Sequence, residues 1–171
     1  MQESKIIQLF SDNAGNIVIF PFSTFTNAPL ANGLEEGWPY TAYYPIELKA
    51  NYNMENLSQK IREGFDCWCK YPHYNNFTGK NTYEEKYFGI KGLKKAVLGK
   101  KLIRVTFDVE DGYRISLSLP TKGRGYEYLR IESTHLAKNA SIIEVAQSVS
   151  ELINLDLNSN ETYRVLRKNL L

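Results

Sequence analysis

Two neighbouring segments in the middle of the chain alternate apolar and polar residues, as strands with one buried face do. The alternation runs through residues 103–109 and again through residues 113–119, and Glu110-Asp111-Gly112 between them has turn-forming composition. A second turn over residues 120–125 leads to a third alternating stretch at 126–131. The pattern predicts a three-strand antiparallel meander.

The first twenty residues contain a second hairpin signal. Apolar runs at residues 6–10 and 17–20 flank Asp12-Asn13-Ala14-Gly15-Asn16, whose residue types tolerate a positive φ. Residues 21–39 are rich in Asn, Gly, Pro and Thr and predict a long loop, while residues 43–48 return to extended character. The N-terminus is therefore expected to add a strand pair to the sheet.

Helical signals follow each group of strands. Leu57, Ile61, Phe65 and Trp68 have helical spacing after a cap at Asn53 or Asn56, and Pro72 is expected to end that helix. Capping-box patterns predict two further helices, a short one from Thr82 with Glu85 and a longer one from Ser141 with Glu144.

These elements predict an α+β fold in a single domain: a mainly antiparallel twisted sheet, made of the N-terminal hairpin and the central three-strand meander, covered by two or three helices. We divide the domain into a hairpin and loop (residues 1–40), a core (41–157) and a C-terminal tail (158–171). A chain of 171 residues with 43% apolar composition suits one such core.

Charge is unevenly distributed along the chain. The net charge is only +2, but the first 59 residues carry −4, residues 60–130 carry +7 and the remainder carries −1. The two cysteines, Cys67 and Cys69, point to opposite sides of a helix and do not suggest a disulfide. With no signal-like N-terminus and no long apolar run, we expect a soluble cytoplasmic protein that does not enter the membrane.

Aromatic residues and lysines are concentrated between Trp68 and Lys101. Tyrosine and tryptophan supply large contact areas, so lysines beside them fit a recognition surface. The residues alone leave a second reading open, in which many of the rings, Trp68 in particular, belong to the core and the lysines form a solvated face. The rings are Trp68, Tyr71, Tyr74, Phe77, Tyr83, Tyr87 and Phe88, and the lysines are Lys70, Lys80, Lys86, Lys91, Lys94, Lys95, Lys100 and Lys101.

Residue patterns typical of catalysis are incomplete. Cys67, Cys69 and His73 lack the fourth ligand of a structural zinc site. The carboxylates of Glu84 and Glu85 diverge by about 100° on a helix, so they do not converge on one substrate atom. The glycine-rich loop at residues 122–126 fits a turn between strands better than a phosphate site, although Arg124 at its tip remains available to a partner. We expect no catalytic residue, metal or cofactor, and no enzymatic activity.

Four short sequences carry a family resemblance: W-x2-Y-P at 68–72, T-G-K at 78–80, T-Y-E-E-K-Y-F-G-I-K-G at 82–92 and G-K-K at 99–101. They resemble an enterobacterial family of contact-dependent growth inhibition immunity proteins, the CdiI proteins, over about residues 40–155. The resemblance implies a protein that binds the cognate C-terminal toxin domain of a CdiA protein in the cytoplasm and neutralises it by stoichiometric occlusion. It also implies that the toxin is a nuclease.

Two faces are candidates for toxin binding. An acidic toxin surface would meet the cationic and aromatic segment, whereas a basic nuclease would meet the acidic N-terminal third. The cationic candidates are Tyr74, Tyr83, Lys86, Lys91, Lys94, Lys95, Arg124 and Tyr126; the acidic candidates are Glu35, Glu36 and Glu47.

Two other functions stay open at the level of sequence. The same lysines and tyrosines fit a module that binds single-stranded nucleic acid through its Lys/Tyr-rich face, and such binding would weaken steeply with salt. A small hydrolase or nuclease using Glu84, Glu85 and His73 is the third candidate. The sequence leaves open whether the protein forms homo-oligomers and whether it plugs the toxin's active site or binds elsewhere on it.

Overall fold

The computed structural model describes residues 4–24, 39–41, 44–68, 83–120, 128–157 and 163. This part of the chain contains seven strands and four helices. The strands are β1 (Lys5–Ser11), β2 (Ile17–Thr24), β3 (Pro39–Thr41), β4 (Ile46–Leu48), β5 (Lys101–Asp108), β6 (Gly112–Pro120) and β7 (Tyr128–Leu136). The helices are α1 (Met54–Asp66), α2 (Tyr83–Phe88), α3 (Leu93–Ala96) and α4 (Ile142–Asn154).

The strands form one antiparallel sheet in the order β3-β2-β1-β5-β6-β7, with β4 also paired to β2. The predicted N-terminal hairpin and the predicted meander are both present, and β1 joins them by pairing with β5 along its whole length. The sheet does not close on itself. The predicted α+β single-domain fold with a mainly antiparallel sheet is confirmed.

Helices α1 and α4 cover one face of this sheet. Both helices begin at the predicted caps: the Asn53 side chain accepts from the backbone N–H of Asn56 at 2.8 Å, and Ser141 forms the full capping box with Glu144. Gly64 lets α1 approach the strands closely, because a Cβ there would lie 3.2 Å from Ile19. The fully buried residues of this layer include Ile7, Leu9, Ile19, Leu57, Ile61, Ile103, Val105, Ile115, Leu117, Val145 and Val149.

The described helices cover only part of the opposite face of the sheet. Short helices α2 and α3 pack over β1, β2 and the start of β5, on a second cluster of buried residues that consists of Phe10, Val18, Phe20, Val97 and Leu102. Farther across the same face, β5, β6 and β7 present the polar residues of their alternating patterns. This uneven cover creates the surfaces described below.

Several predicted boundaries were wrong. Helix α1 ends at Asp66, six residues before Pro72, and Trp68 lies in the turn that follows it. Strand β2 continues through residues 21–24, which were predicted as loop, because Phe22 is buried on the second face and pairs with β3. Strand β7 runs to Leu136, five residues past the predicted alternation. Helix α3 was not predicted at all.

A register shift between β6 and β7 explains why the alternation in β7 was hard to read. Leu117 pairs with Glu132 and Ser118 with Arg130, so Ile131 is an extra residue in β7. Ile131 is 4% exposed and belongs to the core beneath α1 and α4. A bulge of this kind turns one additional side chain inward and breaks the period of two.

Candidate functional site

Two rings of the aromatic and lysine-rich segment, Tyr87 and Phe88, pack against rings of the sheet. Tyr87 lies edge-on to Phe20 at 5.6 Å between ring centroids, and Phe88 lies edge-on to Phe10 at 5.9 Å. Phe10 and Phe20 also contact each other edge-on at 6.0 Å. These four rings form the aromatic cluster that attaches α2 to the sheet, and edge-on geometry of this kind is favourable.

The lysines of the same segment divide into exposed and structural ones. Lys86, Lys91 and Lys95 are exposed on the α2–α3 layer. Lys100 is half-buried, with its ammonium 4.4 Å from the centroid of the Phe88 ring. Lys101 donates to the backbone carbonyls of Ile153 and Leu155 at the end of α4, and it therefore belongs to the core side of the sheet.

We define the lysine face as the exposed surface of α2, α3 and the loop between them. Of the eight cationic and aromatic candidates, Lys86, Lys91 and Lys95 lie on it, and the backbones of Tyr83 and Lys94 belong to α2 and α3. Tyr74, Arg124 and Tyr126 lie outside the described residues, as do the acidic candidates Glu35 and Glu36.

Glu47, the remaining acidic candidate, lies beside the lysine face. It projects from β4, accepts a 2.8 Å hydrogen bond from the Tyr87 hydroxyl and forms a 3.3 Å ion pair with Lys49. The Tyr87 hydrogen bond and the Lys49 contact hold the pKa of Glu47 below its ordinary value. A cleft of about 260 Å³ lies between these groups, with Asp12 and Lys100 also on its walls. Of the acidic candidates, Glu47 therefore contacts helix α2 of the lysine face through Tyr87.

The catalytic candidates are not arranged as an active site in the part that is described. Glu84 and Glu85 are buried, at 6% and 7% exposure, and the Glu85 carboxylate accepts from the backbone N–H of Gly92. Cys67 is buried, and Cys69 and His73 lie outside the described residues. Among those described, no three His, Cys, Asp or Glu side chains are grouped as metal ligands.

A second cationic surface, which the sequence analysis did not identify as a site, lies on the part of the sheet that none of the described helices covers. Arg104 of β5, Arg114 of β6 and Arg130 of β7 are all exposed and line a cleft of about 530 Å³. We call this surface the arginine cleft. Its other described lining residues are Ser4, Ile6, Leu102, Thr106, Ser116 and Ser118.

Strand register determines which side chains meet in this cleft. Thr106 pairs with Arg114, Arg104 with Ser116, and Ser118 with Arg130. Each arginine thus faces a hydroxyl side chain across the strand pair, in three successive rows about 7 Å apart. The alternation in β5 and β6 was visible in the sequence, but only the pairing register aligns the rows.

Within the described ranges, no helix has the length and apolar character needed to cross a membrane. No protein-family model matches the chain, and no curated protein matches it in sequence.

The fold itself has a solved counterpart. The chain is similar to a chain of the structure "CdiA-CT/CdiI toxin and immunity complex from Yersinia pseudotuberculosis", with a TM-score of 0.51 and 11% sequence identity. The similarity covers 88% of this chain and 95% of that chain. At this identity the likeness concerns the fold, and the predicted resemblance is confirmed as a fold shared with a chain of a CdiA-CT/CdiI toxin and immunity complex.

Proposed function

We propose that this protein is an immunity protein that binds the C-terminal toxin domain of a contact-dependent growth inhibition system and neutralises it. The observation that carries the proposal is the shared fold with a chain from a toxin and immunity complex over 88% of the present chain. The family-like sequence at residues 68–101 supports the same proposal.

The proposed mechanism is stoichiometric occlusion in the cytoplasm, without catalysis by the immunity protein. Buried Glu84 and Glu85 favour this reading, because a carboxylate enclosed by protein cannot reach a substrate. The proposed partner is a nuclease. A tight complex would rest on surface complementarity, and charges on the lysine face would accelerate encounter with an acidic part of the toxin.

Coexpression with the toxin domain encoded next to this chain's gene tests the proposal directly. We expect full rescue of growth, and in vitro we expect toxin activity to fall linearly with added protein and to vanish at a fixed molar ratio. Continued activity at saturating protein, or substrate turnover by the purified protein alone, would contradict the proposal.

Variants of the lysine face test its part in the encounter. Lys91→Glu and Lys95→Glu change exposed residues and should leave the fold intact. We expect each to slow association several-fold at low salt and to have little effect at high salt, because rim charges act mainly on the association rate. Arg62→Glu on α1, exposed on the other side of the sheet, is the matched control. If Lys91→Glu and Lys95→Glu associate as fast as Arg62→Glu does, the toxin contacts the acidic side around Glu47 instead of the lysine face.

A single-stranded nucleic-acid-binding module remains the alternative. Such modules stack bases on exposed aromatic rings, whereas Tyr87 and Phe88 of this segment pack on Phe20 and Phe10. The inward orientation therefore favours a protein partner. Salt-sensitive binding of a random single-stranded RNA, without a complex with the toxin domain, would favour the alternative.

A further inference from the structure

The arginine cleft differs from an ordinary solvated sheet face. Exposed surfaces usually intersperse both signs of charge, which limits repulsion and unspecific binding. Here three arginines lie on three adjacent strands, and none of the nine described residues that line the cleft is acidic. Arg114 and Arg130 thus have no acidic neighbour among these described lining residues, and such an excess of one sign becomes favourable when a partner supplies the opposite charge.

The residue type narrows the kind of partner. All three cations are arginines rather than lysines, and the planar guanidinium presents a fork of donors that matches a carboxylate or a phosphate with two hydrogen bonds. The facing hydroxyls of Thr106, Ser116 and Ser118 add donors that can complete the hydrogen bonding of the same oxyanions. The cleft therefore presents hydrogen-bond donors suited to several carboxylate or phosphate groups that follow one another along a partner chain.

Spacing permits either an acidic protein segment or a nucleic acid backbone, and the lining favours the protein. Alternate residues of an extended peptide are about 7 Å apart, as the three rows are. A nucleic acid would also require surfaces on which bases can stack. No aromatic residue is among those described as lining the cleft, and the nearby Phe22 ring is already covered by Arg104, whose guanidinium carbon lies 5.8 Å from its centroid.

The cleft also adjoins the lysine face. Leu102 lines the cleft and also belongs to the buried cluster beneath α3. The α2–α3 layer therefore borders the arginine cleft. A partner that contacts exposed Lys95 on α3 and extends onto β6 and β7 would also meet Arg114 and Arg130.

We propose that the arginine cleft is a docking surface for a carboxylate-rich segment of the toxin domain, held by Arg114 and Arg130. This inference rests on the proposed function and names the partner's chemistry and the face that binds it. Arg104 contributes charge to the cleft, but its contact with Phe22 gives it a structural role as well.

Single charge reversals in the complex with the purified toxin domain test the inference. We expect Arg114→Glu and Arg130→Glu each to raise the dissociation constant about 30-fold or more, since breaking a desolvated charge pair has effects of this order. Arg62→Glu makes the same change of charge at an exposed arginine of α1 and should alter the constant less than about twofold. Arg114→Lys keeps the charge and removes the fork, so an intermediate loss is expected.

Unchanged circular dichroism and thermal midpoints would show that the exposed substitutions leave the fold intact. If the native protein binds the toxin domain and Arg114→Glu and Arg130→Glu behave like Arg62→Glu, the cleft is not the docking surface and the proposed function stands. If the native protein does not bind the toxin domain, the proposed function fails and the inference fails with it. Binding of a labelled random single-stranded RNA that is lost in Arg114→Glu, with toxin binding retained, would assign the cleft to nucleic acid and overturn the inference.

Discussion

Replacing Lys101 by methionine should destabilise the domain although the residue belongs to the cationic segment. Its ammonium donates to the carbonyl of Leu155 at 3.0 Å and to that of Ile153, at the end of α4 where carbonyls lack partners within the helix. Lys101→Met keeps an unbranched apolar stem of similar length and removes only the donor and its charge. The change therefore isolates the link between β5 and α4.

The size of the effect follows from three contributions. A hydrogen bond to a charged group is worth about 1.5–3 kcal/mol net, and a cation at a helix C-terminus adds about 0.3–1 kcal/mol. Burial opposes both, since it lowers the pKa of Lys101, while nearby Asp156 raises it in part. Because water can replace part of the lost donor at this half-buried site, we expect a net loss of about 2 kcal/mol. For a domain of this size that corresponds to a fall of about 4–8 °C in the thermal midpoint.

Thermal unfolding followed by circular dichroism at pH 7 measures this loss. Lys138→Met, the same substitution at an exposed lysine, is the control and should remain within about 1 °C of the native protein. The folded state holds the Lys101 proton less tightly than the unfolded chain does. Raising the pH toward the ordinary lysine pKa of 10.5 should therefore increase the stability of the native protein relative to Lys101→Met.

Two outcomes would refute this reasoning about Lys101. A midpoint for Lys101→Met equal to that of Lys138→Met would mean that water satisfies the α4 carbonyls equally well. Loss of toxin binding by a stably folded Lys101→Met protein would mean that the lysine contacts the partner after all.

Three further predictions follow from the described contacts. Gly112→Ala should lower the unfolding free energy by well over about 2 kcal/mol, because φ is +82° and the new Cβ would lie 2.4 Å from the Leu136 carbonyl oxygen. Gly89→Ala is the control, because Gly89 has φ +66° with open space around it, and it should lower the unfolding free energy by only about 1–2 kcal/mol. Equal losses for the two variants in a denaturant titration would contradict the steric argument. Tyr87→Phe should lower stability by about 1 kcal/mol and raise the pKa of Glu47, measurable by NMR titration, since the phenol donates to that carboxylate; an unchanged Glu47 titration would show that the hydrogen bond is not formed in solution. Because burial raises the pKa of Tyr52, Tyr87 and Tyr113, the unfolded chain ionises first and stability should fall as the pH rises above about 10, whereas a flat profile from pH 9 to 12 would contradict their burial.

Much of the fold was predictable because the relevant signals are local. The Asp12 side chain accepts from the backbone N–H groups of Ala14 and Asn16, both at 2.9 Å, so the first turn is encoded within five residues. The Ser141–Glu144 capping box and the alternation in β5 and β6 are equally local. The residues that determine each of these elements lie within the element itself, and each element was predicted correctly.

The elements that were missed depend on contacts distant in sequence. Helix α3 has four residues, too few to show a period, and it forms where Val97 can pack with Phe10 and Leu102 of β1 and β5. The extension of β2 needs the pairing of Phe22 with Thr41. Neither long-range contact can be read from the residues that make it.

The candidate site was only partly predictable for a related reason. The excess of cations in residues 60–130 is evident from composition, but the lysines and arginines of this stretch have three different roles that composition does not distinguish. Lys101 caps α4, Lys91 and Lys95 are exposed on the helical layer, and Arg114 and Arg130 line the sheet. Only strand register and helix orientation separate these roles.

Under the proposed function, the lysine face and the arginine cleft should contribute differently to toxin binding. Lysines on the short exposed helices α2 and α3 keep flexible, strongly hydrated charges, which suit long-range attraction that salt screens. The arginines project from β5, β6 and β7, and the planar guanidinium is preorganised, so less freedom is lost when they bind a carboxylate. Substitutions on the lysine face should therefore change mainly the association rate, and those in the arginine cleft mainly the dissociation rate. Measuring the association and dissociation rates for Lys95→Glu and Arg114→Glu in the same complex tests this division. If both variants change the two rates to the same extent, the lysine face and the arginine cleft do not have separate roles.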